Sequence, residues 1–261
     1  ELPKGTLMQR AGRKAADLAL SILSQQGDDT PGKVLVLAGP GNNGGDALEM
    51  ATLLADAGIH VSVLLVANRK KREPEEARMA RQKAVKSAIH WEDALSLNTT
   101  LESISGRQWS LVVDGMFGIG LKEALTGSRS QLVEIVNTLP CPILALDVPS
   151  GLNADTGNVV GDDAVAIRAT HTITFIADKP GLHTGKGRDH AGEVHIASLD
   201  VDKACFPDTQ CWLNGPELFR TFLTPRRHDT HKGSYGRLAI IGGAPGMTGA
   251  PVLAARAALY C

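Results

Sequence analysis

The chain has 261 residues, 43% of them apolar and 21% charged, with a formal net charge of −1 at pH 7. This is the composition of an ordinary globular protein, long enough for one large domain and part of another. Near-neutral charge selects neither nucleic acid nor an anionic membrane, five Phe, three Trp and two Tyr make a poor base-stacking surface, and no apolar run approaches the ~20 residues of a membrane helix.

The opening, ELPKGTLMQRAG, has neither a signal-peptide pattern nor an initiator Met, so a cytoplasmic protein whose natural N-terminus lies further upstream is expected. Apolar residues at helical spacing from Leu7 to Gln26, stopped by Gly27, predict an N-terminal helix packed on the domain. A strand over Lys33–Ala38 follows, then a glycine loop, a helix from Asp46 to Ala57 and a second strand from His60 to Val66. The densely charged NRKKREPEEARMARQKAVK reads as a solvated helix after Pro74. Further strands are predicted in WSLVVDGMFGIG, CPILALDVPSGLNADTG, THTITFIAD and GEVHIASLDV, with a helix in SRSQLVEIVNTL. The alternation predicts an α/β fold, a Rossmann-like three-layer α/β/α sandwich with a mostly parallel sheet. Near Pro216 the composition changes. Residues 1–215 form the expected first domain, 216–232 a polar and basic linker, and 233–261 the start of a second domain with a fresh strand, glycine loop and helix. About thirty residues cannot build a core alone. The four cysteines, Cys141, Cys205, Cys211 and Cys261, form no C-x-x-C pair and are expected to be reduced, mostly buried thiols.

Such sheets bind ligands beyond the carboxyl ends of their strands. Three polar loops, GPGNNGGD, VDGMFGIG and LDVPSG, follow successive strands, so Asn42, Asn43, Asp46, Asp114, Asp147 and Ser150 should converge. The first loop contains a G-x-G-x-x-G at Gly39, Gly41 and Gly44, the pattern of a dinucleotide pyrophosphate site. Two features oppose a hydride-transferring dehydrogenase. Asp46, placed as an N-cap, would repel a phosphate at the helix end. The second strand ends in Ala67, Asn68 and Arg69 rather than an acidic ribose ligand, leaving only an NADP version through Arg69. Asn, Asp and Ser oxygens suit a hard cation, and with few carboxylates a monovalent one; a remaining carboxylate could exchange protons with a substrate. The histidines at 171, 183, 190, 195, 228 and 231 show no ligand spacing with cysteines, which speaks against zinc.

These loops, with LMQRAG near the start and TFIADKPGLHTGKGRDHAG further on, resemble the NAD(P)H-hydrate epimerases, the YjeF N-terminal domain family, from about Leu7 to Val201. HKGSYGRLAIIGGAPGMTGAP resembles the opening of the ADP-dependent NAD(P)H-hydrate dehydratases. The resemblance implies epimerisation of the R and S forms of hydrated NADH or NADPH, the S form passing to a dehydratase that uses ADP or ATP. It implies a substrate site at Asn42, Asn43, Gly44, Gly45 and Asp46, at Gly118, Ile119, Gly120, Leu121, Lys122, Glu123 and Ala124, and at Asp147. It implies a potassium ion on Asn43, Asp114 and Ser150, with Asp147 as the catalytic proton carrier. No dehydratase activity is expected, since that domain's catalytic segments would lie beyond Cys261. A homo-oligomer is expected, and His231 and Lys232 would serve the second domain. The rival from another class is a non-catalytic nucleotide-binding or interaction module on the same fold.

Overall fold

The computed structural model describes residues 2–27, 32–66, 73–92, 102–209, 211–222, 225, 227–231 and 233–260. It divides into two compact units, 1–208 and 209–261.

The first unit is built on seven strands: β1 (Lys33–Ala38), β2 (His60–Leu65), β3 (His90–Trp91), β4 (Leu111–Gly115), β5 (Ile143–Leu146), β6 (His171–Phe175) and β7 (Glu193–Ala197). They lie in the order β3-β2-β1-β4-β5-β6-β7, and every pair is parallel. β3 is a two-residue edge strand that sequence patterning does not resolve. The central strands carry near-continuous apolar runs because both faces of the sheet are covered. On β1, Val34, Val36 and Ala38 enter one core while Leu35 and Leu37 enter the other. β5 divides likewise, Leu144 and Leu146 against Ile143 and Ala145.

Three helices cover the first face: α1 (Thr6–Ser24), α2 (Asn42–Asp56) and α3 (Glu75–Ala84). α1 buries Met8, Ala11, Ala15, Ala19 and Ile22, a three-and-four spacing that keeps one stripe inward. A Cβ at Gly12 would stand 2.5 Å from Glu49 Cβ, so glycine there lets α1 cross α2 closely. The charged segment does form a helix after Pro74, but it is solvated on one side only. Ala77, Ala80 and Ala84 are buried, while Glu75 and Glu76 start the helix and Arg81 and Lys83 end it, in accord with the helix dipole. The helix Ser128–Val136 packs Leu132, Val133 and Val136 on the second face.

Two expectations fail in the second unit and at the cysteines. Residues 237–242, expected as a strand, are not one: a strand needs a hydrogen-bonded neighbour, and none pairs with them among the described residues. The helix Gly249–Ala258 does form, and no described residue of the second unit is buried. The three described cysteines are free, but Cys205 and Cys211 are exposed and Cys141 is half-buried, its thiol pushed up to about 11 by burial. Cys205 and Cys211 follow β7, past the strands that form the core. Cys261 lies outside the described residues.

The glycine loop is shaped by contact. A Cβ on Gly39 would sit 1.7 Å from the Met116 carbonyl oxygen, and one on Gly44 would sit 1.8 Å from that of Gly39, whereas Gly41 faces open space. Gly39→Ala should therefore destabilise the protein by about 3 kcal/mol or more, and Gly41→Ala, whose φ of −105° suits any residue, by little. Urea denaturation of the two variants checks the contrast; equal losses would contradict it.

Candidate active site

The strand order reverses between β1 and β4, and the loops that leave these strands open a cavity of about 870 Å³. That is the size of a cofactor-binding cleft, at the topological switch point where such sheets bind ligands. Asn42, Asn43, Asp46, the whole of Gly118–Ala124 and Asp147 line it, together with Met8 from α1, Glu76 from α3 and Lys179. A smaller cavity of about 490 Å³, at the amino ends of β1 and β2, has Lys33, His60, His90 and Arg107 in its wall and no carboxylate among the described residues that line it.

The N-terminus of α2 differs from its expected form. The helix begins at Asn42, one turn before Asp46, with Gly41 as its N-cap and no side chain capping it. The first-turn N–H groups have no partner within the helix; Asn42 and Asn43 of that turn line the cavity, whereas Gly44 and Gly45 are buried and are not in its wall. Asp46 stands a turn further in and does not block that end. Its carboxyl is raised well above the ordinary value of 3.8, first by burial and then by the Asp147, Glu76 and Glu49 carboxylates. Arg69, the residue on which an NADP reading rested, lies outside the described residues.

Asp114 and Ser150 lie beneath the cavity rather than in its wall. Asp114 is the penultimate residue of β4 and is fully buried. The Ser150 hydroxyl donates to its Oδ1 at 2.6 Å, the Ser150 amide to its Oδ2 at 2.7 Å and the Met116 amide to its Oδ1 at 3.2 Å. Burial raises this carboxyl from 3.8 to about 6, against the pull of those bonds. The Phe117 amide donates to Ser150 Oγ at 2.9 Å, so the segment after β4 is fastened to the one after β5. Asn43 meets the same segment from α2. Its Nδ2 donates to the Leu146 carbonyl at 3.1 Å, and its Oδ1 is buried with no hydrogen-bond partner.

Asp147 follows β5 with φ of 65°, and the Val148 amide donates to Leu146 O across it at 2.8 Å, closing a three-residue turn. β6 ends the same way: Ile176 has φ of 70° and the Ala177 amide donates to Phe175 O at 2.8 Å. Positive φ is a genuine outlier for a β-branched residue, and both residues line the cavity. The turn at Asp147 presents its carboxylate to Lys179, the Ile119 amide and, at 3.5 Å, the Thr174 hydroxyl. Lys179 Nζ pairs with Oδ1 at 2.7 Å while donating to Phe175 O at 2.7 Å, and the Ile119 amide approaches Oδ2 at 3.4 Å. A Cβ on Gly118 would stand 2.9 Å from the same Oδ2, so this loop lies directly against the carboxylate. Sequence reasoning assigned Lys179 no role. The available signal was position, since IADKPG is a fourth polar loop after a strand.

Fold and site together define an α/β protein with a cofactor-sized, carboxylate-bearing cavity at its switch point. The chain belongs to the family described as YjeF-related protein N-terminus, whose profile matches residues 4–181. It is 42% identical over 226 residues to the bifunctional NAD(P)H-hydrate repair enzyme Nnr of Escherichia coli K12, an alignment covering 86% of this chain and 42% of that protein. Against the NAD(P)H-hydrate epimerase of Limosilactobacillus reuteri it is 36% identical over 197 residues, covering 76% of this chain and 85% of that one. The chain thus spans less than half of its bifunctional relative and most of the shorter one. The crystal structure of yeast ynu0 shares the fold at a TM-score of 0.56 and 23% identity, over 69% of this chain and 74% of that one. No helix among the described residues is long and apolar enough to cross a membrane.

Because the folded state holds the Asp46 proton more tightly than the unfolded chain, stability contributed by that proton is present at low pH and declines as pH climbs above the ordinary carboxylate value of 3.8. Asp46→Asn removes the titration. Its melting temperature relative to the parent should rise from pH 4 to pH 8; a difference independent of pH would contradict the assignment.

Proposed function

We propose that the chain epimerises the R and S hydrates of NADH and NADPH. The carrying observation is the Asp147 carboxylate, held on a strained turn at the cavity wall with Lys179 Nζ at 2.7 Å. Its support is the company it keeps: a helix N-terminus that suits a dinucleotide's phosphates, a cofactor-sized cavity, and a relative of similar span named as an NAD(P)H-hydrate epimerase.

The chemistry asks little of the protein. The hydrate is a carbinolamine. A carboxyl group protonates its hydroxyl, the C–O bond breaks with push from the ring nitrogen, and water and a planar iminium ion result. Water then adds to the other face and returns its proton to the carboxylate, so the reaction balances with no other reactant. Asp147 is the proton carrier, and Lys179 and the Ile119 amide fix its position. Asp46, whose burial favours the protonated form, is the second carboxyl in the wall. Asn42–Asp46 and Gly118–Ala124 hold the substrate, the latter partly through backbone, since Ile119, Lys122 and Glu123 are exposed.

The family's potassium fits the residues present. Asn43 Oδ1 is a buried oxygen without a partner on a residue that meets Leu146 and Gly115, and the Asp114–Ser150 pair on those same strand ends offers a carboxylate and a hydroxyl, a hard-oxygen set suited to an alkali ion. Bound there by Asn43, Asp114 and Ser150, the ion would offset the buried charge of Asp114 and stiffen the floor under Asp147. In the full-length protein the S hydrate would pass to a C-terminal dehydratase using ADP or ATP. Cytoplasmic location and homo-oligomeric assembly complete the reading.

An NMR time course on purified R hydrate tests it, with the spontaneous rate subtracted. The chain should speed interconversion, and Asp147→Asn should lower the enzymatic rate at least about 100-fold. The fold should survive, because Asn tolerates positive φ. Near-normal turnover in that variant would remove Asp147 from the role. No acceleration by the parent chain, with hydrate still raising its melting temperature, would favour a binding module instead.

A further inference from the structure

At the opposite rim from the cavity, three side chains that the epimerase reading does not use come together. His171 and Glu193 are the first residues of β6 and β7 and partners in register; His195 pairs with Ile173 two residues on. Side chains two residues apart on a strand share a face, so all three project from one side of the sheet. Each presents a ligand atom, and these atoms lie within 4.8 Å of one another. The spacing arises from two adjacent parallel strands, which is why a search for Cys–His patterns passed over it.

The hydrogen bonds favour the ligating state. Thr170 Oγ1 donates to the Ile143 carbonyl at 3.0 Å and accepts the Ile143 amide at 3.0 Å. With its proton so committed, it accepts from His171 Nδ1, 2.9 Å away. That places the His171 proton on Nδ1 and the lone pair on Nε2, the second-sphere arrangement that orients a metal-bound imidazole. His195 Nε2 is buried and has no hydrogen-bond partner, although Glu193 Oε1 stands 3.4 Å away. The two rings lie nearly parallel, at 20° with centroids 6.0 Å apart.

We propose that His171, Glu193 and His195 form a three-ligand site for a zinc-class divalent cation that clamps the edge strand β7 to β6. Two imidazoles and a carboxylate are a zinc donor set, with water as the fourth ligand on the exposed Glu193 side. β7 lies at an edge of the sheet and pairs only with β6 among the described residues, so a cross-strand ion would secure a strand whose ladder holds it on one side alone. The five residues of β6 separate this cluster from the cavity by about 13 Å, so the ion is structural and takes no part at Asp147.

The test uses the chain stripped of metal with EDTA and titrated calorimetrically with zinc chloride, and with cobalt(II) followed by absorption. One equivalent should bind, raise the melting temperature and give the intense visible bands of four-coordinate cobalt. His171→Ala and His195→Ala should each weaken binding at least about tenfold. Glu193→Gln, at an exposed position, serves as the variant least able to disturb folding and should also weaken it. Circular dichroism of the metal-free variants reports whether the fold is intact. Absence of saturable binding in the parent chain would overturn the proposal. So would affinity unchanged in all three variants, which would place the ion on other histidines.

Discussion

The site depends on one buried carboxylate. Asp114 lies fully buried one residue before the end of a central strand, and three donors converge on it, two of them from Ser150, 36 residues on in sequence. Taking a carboxylate out of water is expensive unless hydrogen bonds replace the lost solvation; here they replace it in part, since the group still sits near 6 rather than 3.8. That group fastens the exits of β4 and β5 together. Ser150 reaches back to the Phe117 amide, and the segment so fixed carries Gly118 and Ile119 to the Asp147 carboxylate. Asn43 joins from α2 through the Leu146 carbonyl. Three loops far apart in sequence become one surface through these few bonds.

Strain is placed at the same rim. Two adjacent strands, β5 and β6, each end in a three-residue turn around a left-handed residue, first Asp147 and then Ile176. Such conformations cost about 1–3 kcal/mol each and persist where surrounding structure over-determines them. The ladder supplies that: the Asp147 amide donates to Ile173 O and the Ile176 amide to Ala197 O, each at 2.8 Å or less. The result is a carboxylate aimed into the cavity and a lysine from the next loop aimed at the carboxylate. A carboxylate held this way needs little reorganisation to meet a bound ligand.

The sheet was legible in the sequence because its strands are buried on both faces and read as unbroken apolar runs; β1 matches residue for residue. Convergence of the polar loops followed from strand polarity alone. The start of α2 was misjudged for a specific reason. Capping preference pointed to Asp46, but the chain enters the helix at Asn42 because Gly39 and Gly44 allow backbone to pack within van der Waals range of backbone. Capping rules hold no information about that approach. The edge strand β3 is too short to show a period, and residues 237–242 have the pattern of a strand without a partner. Lys179 was signalled only by its place in a fourth polar loop after a strand, and the His171–Glu193–His195 group not at all, because its meaning comes from register.

The proposed alkali-ion site lies where the start of α2 meets the loops after β4 and β5, beneath the cavity. Crystals of the chain grown with thallium(I) in place of potassium test it most directly, because thallium scatters anomalously and takes the same hard-oxygen ligands. The account predicts one dominant anomalous peak bonded to Asn43 Oδ1 and flanked by Ser150 and Asp114. Peaks confined to the surface, with Asn43 Oδ1 turned to another partner, would contradict it.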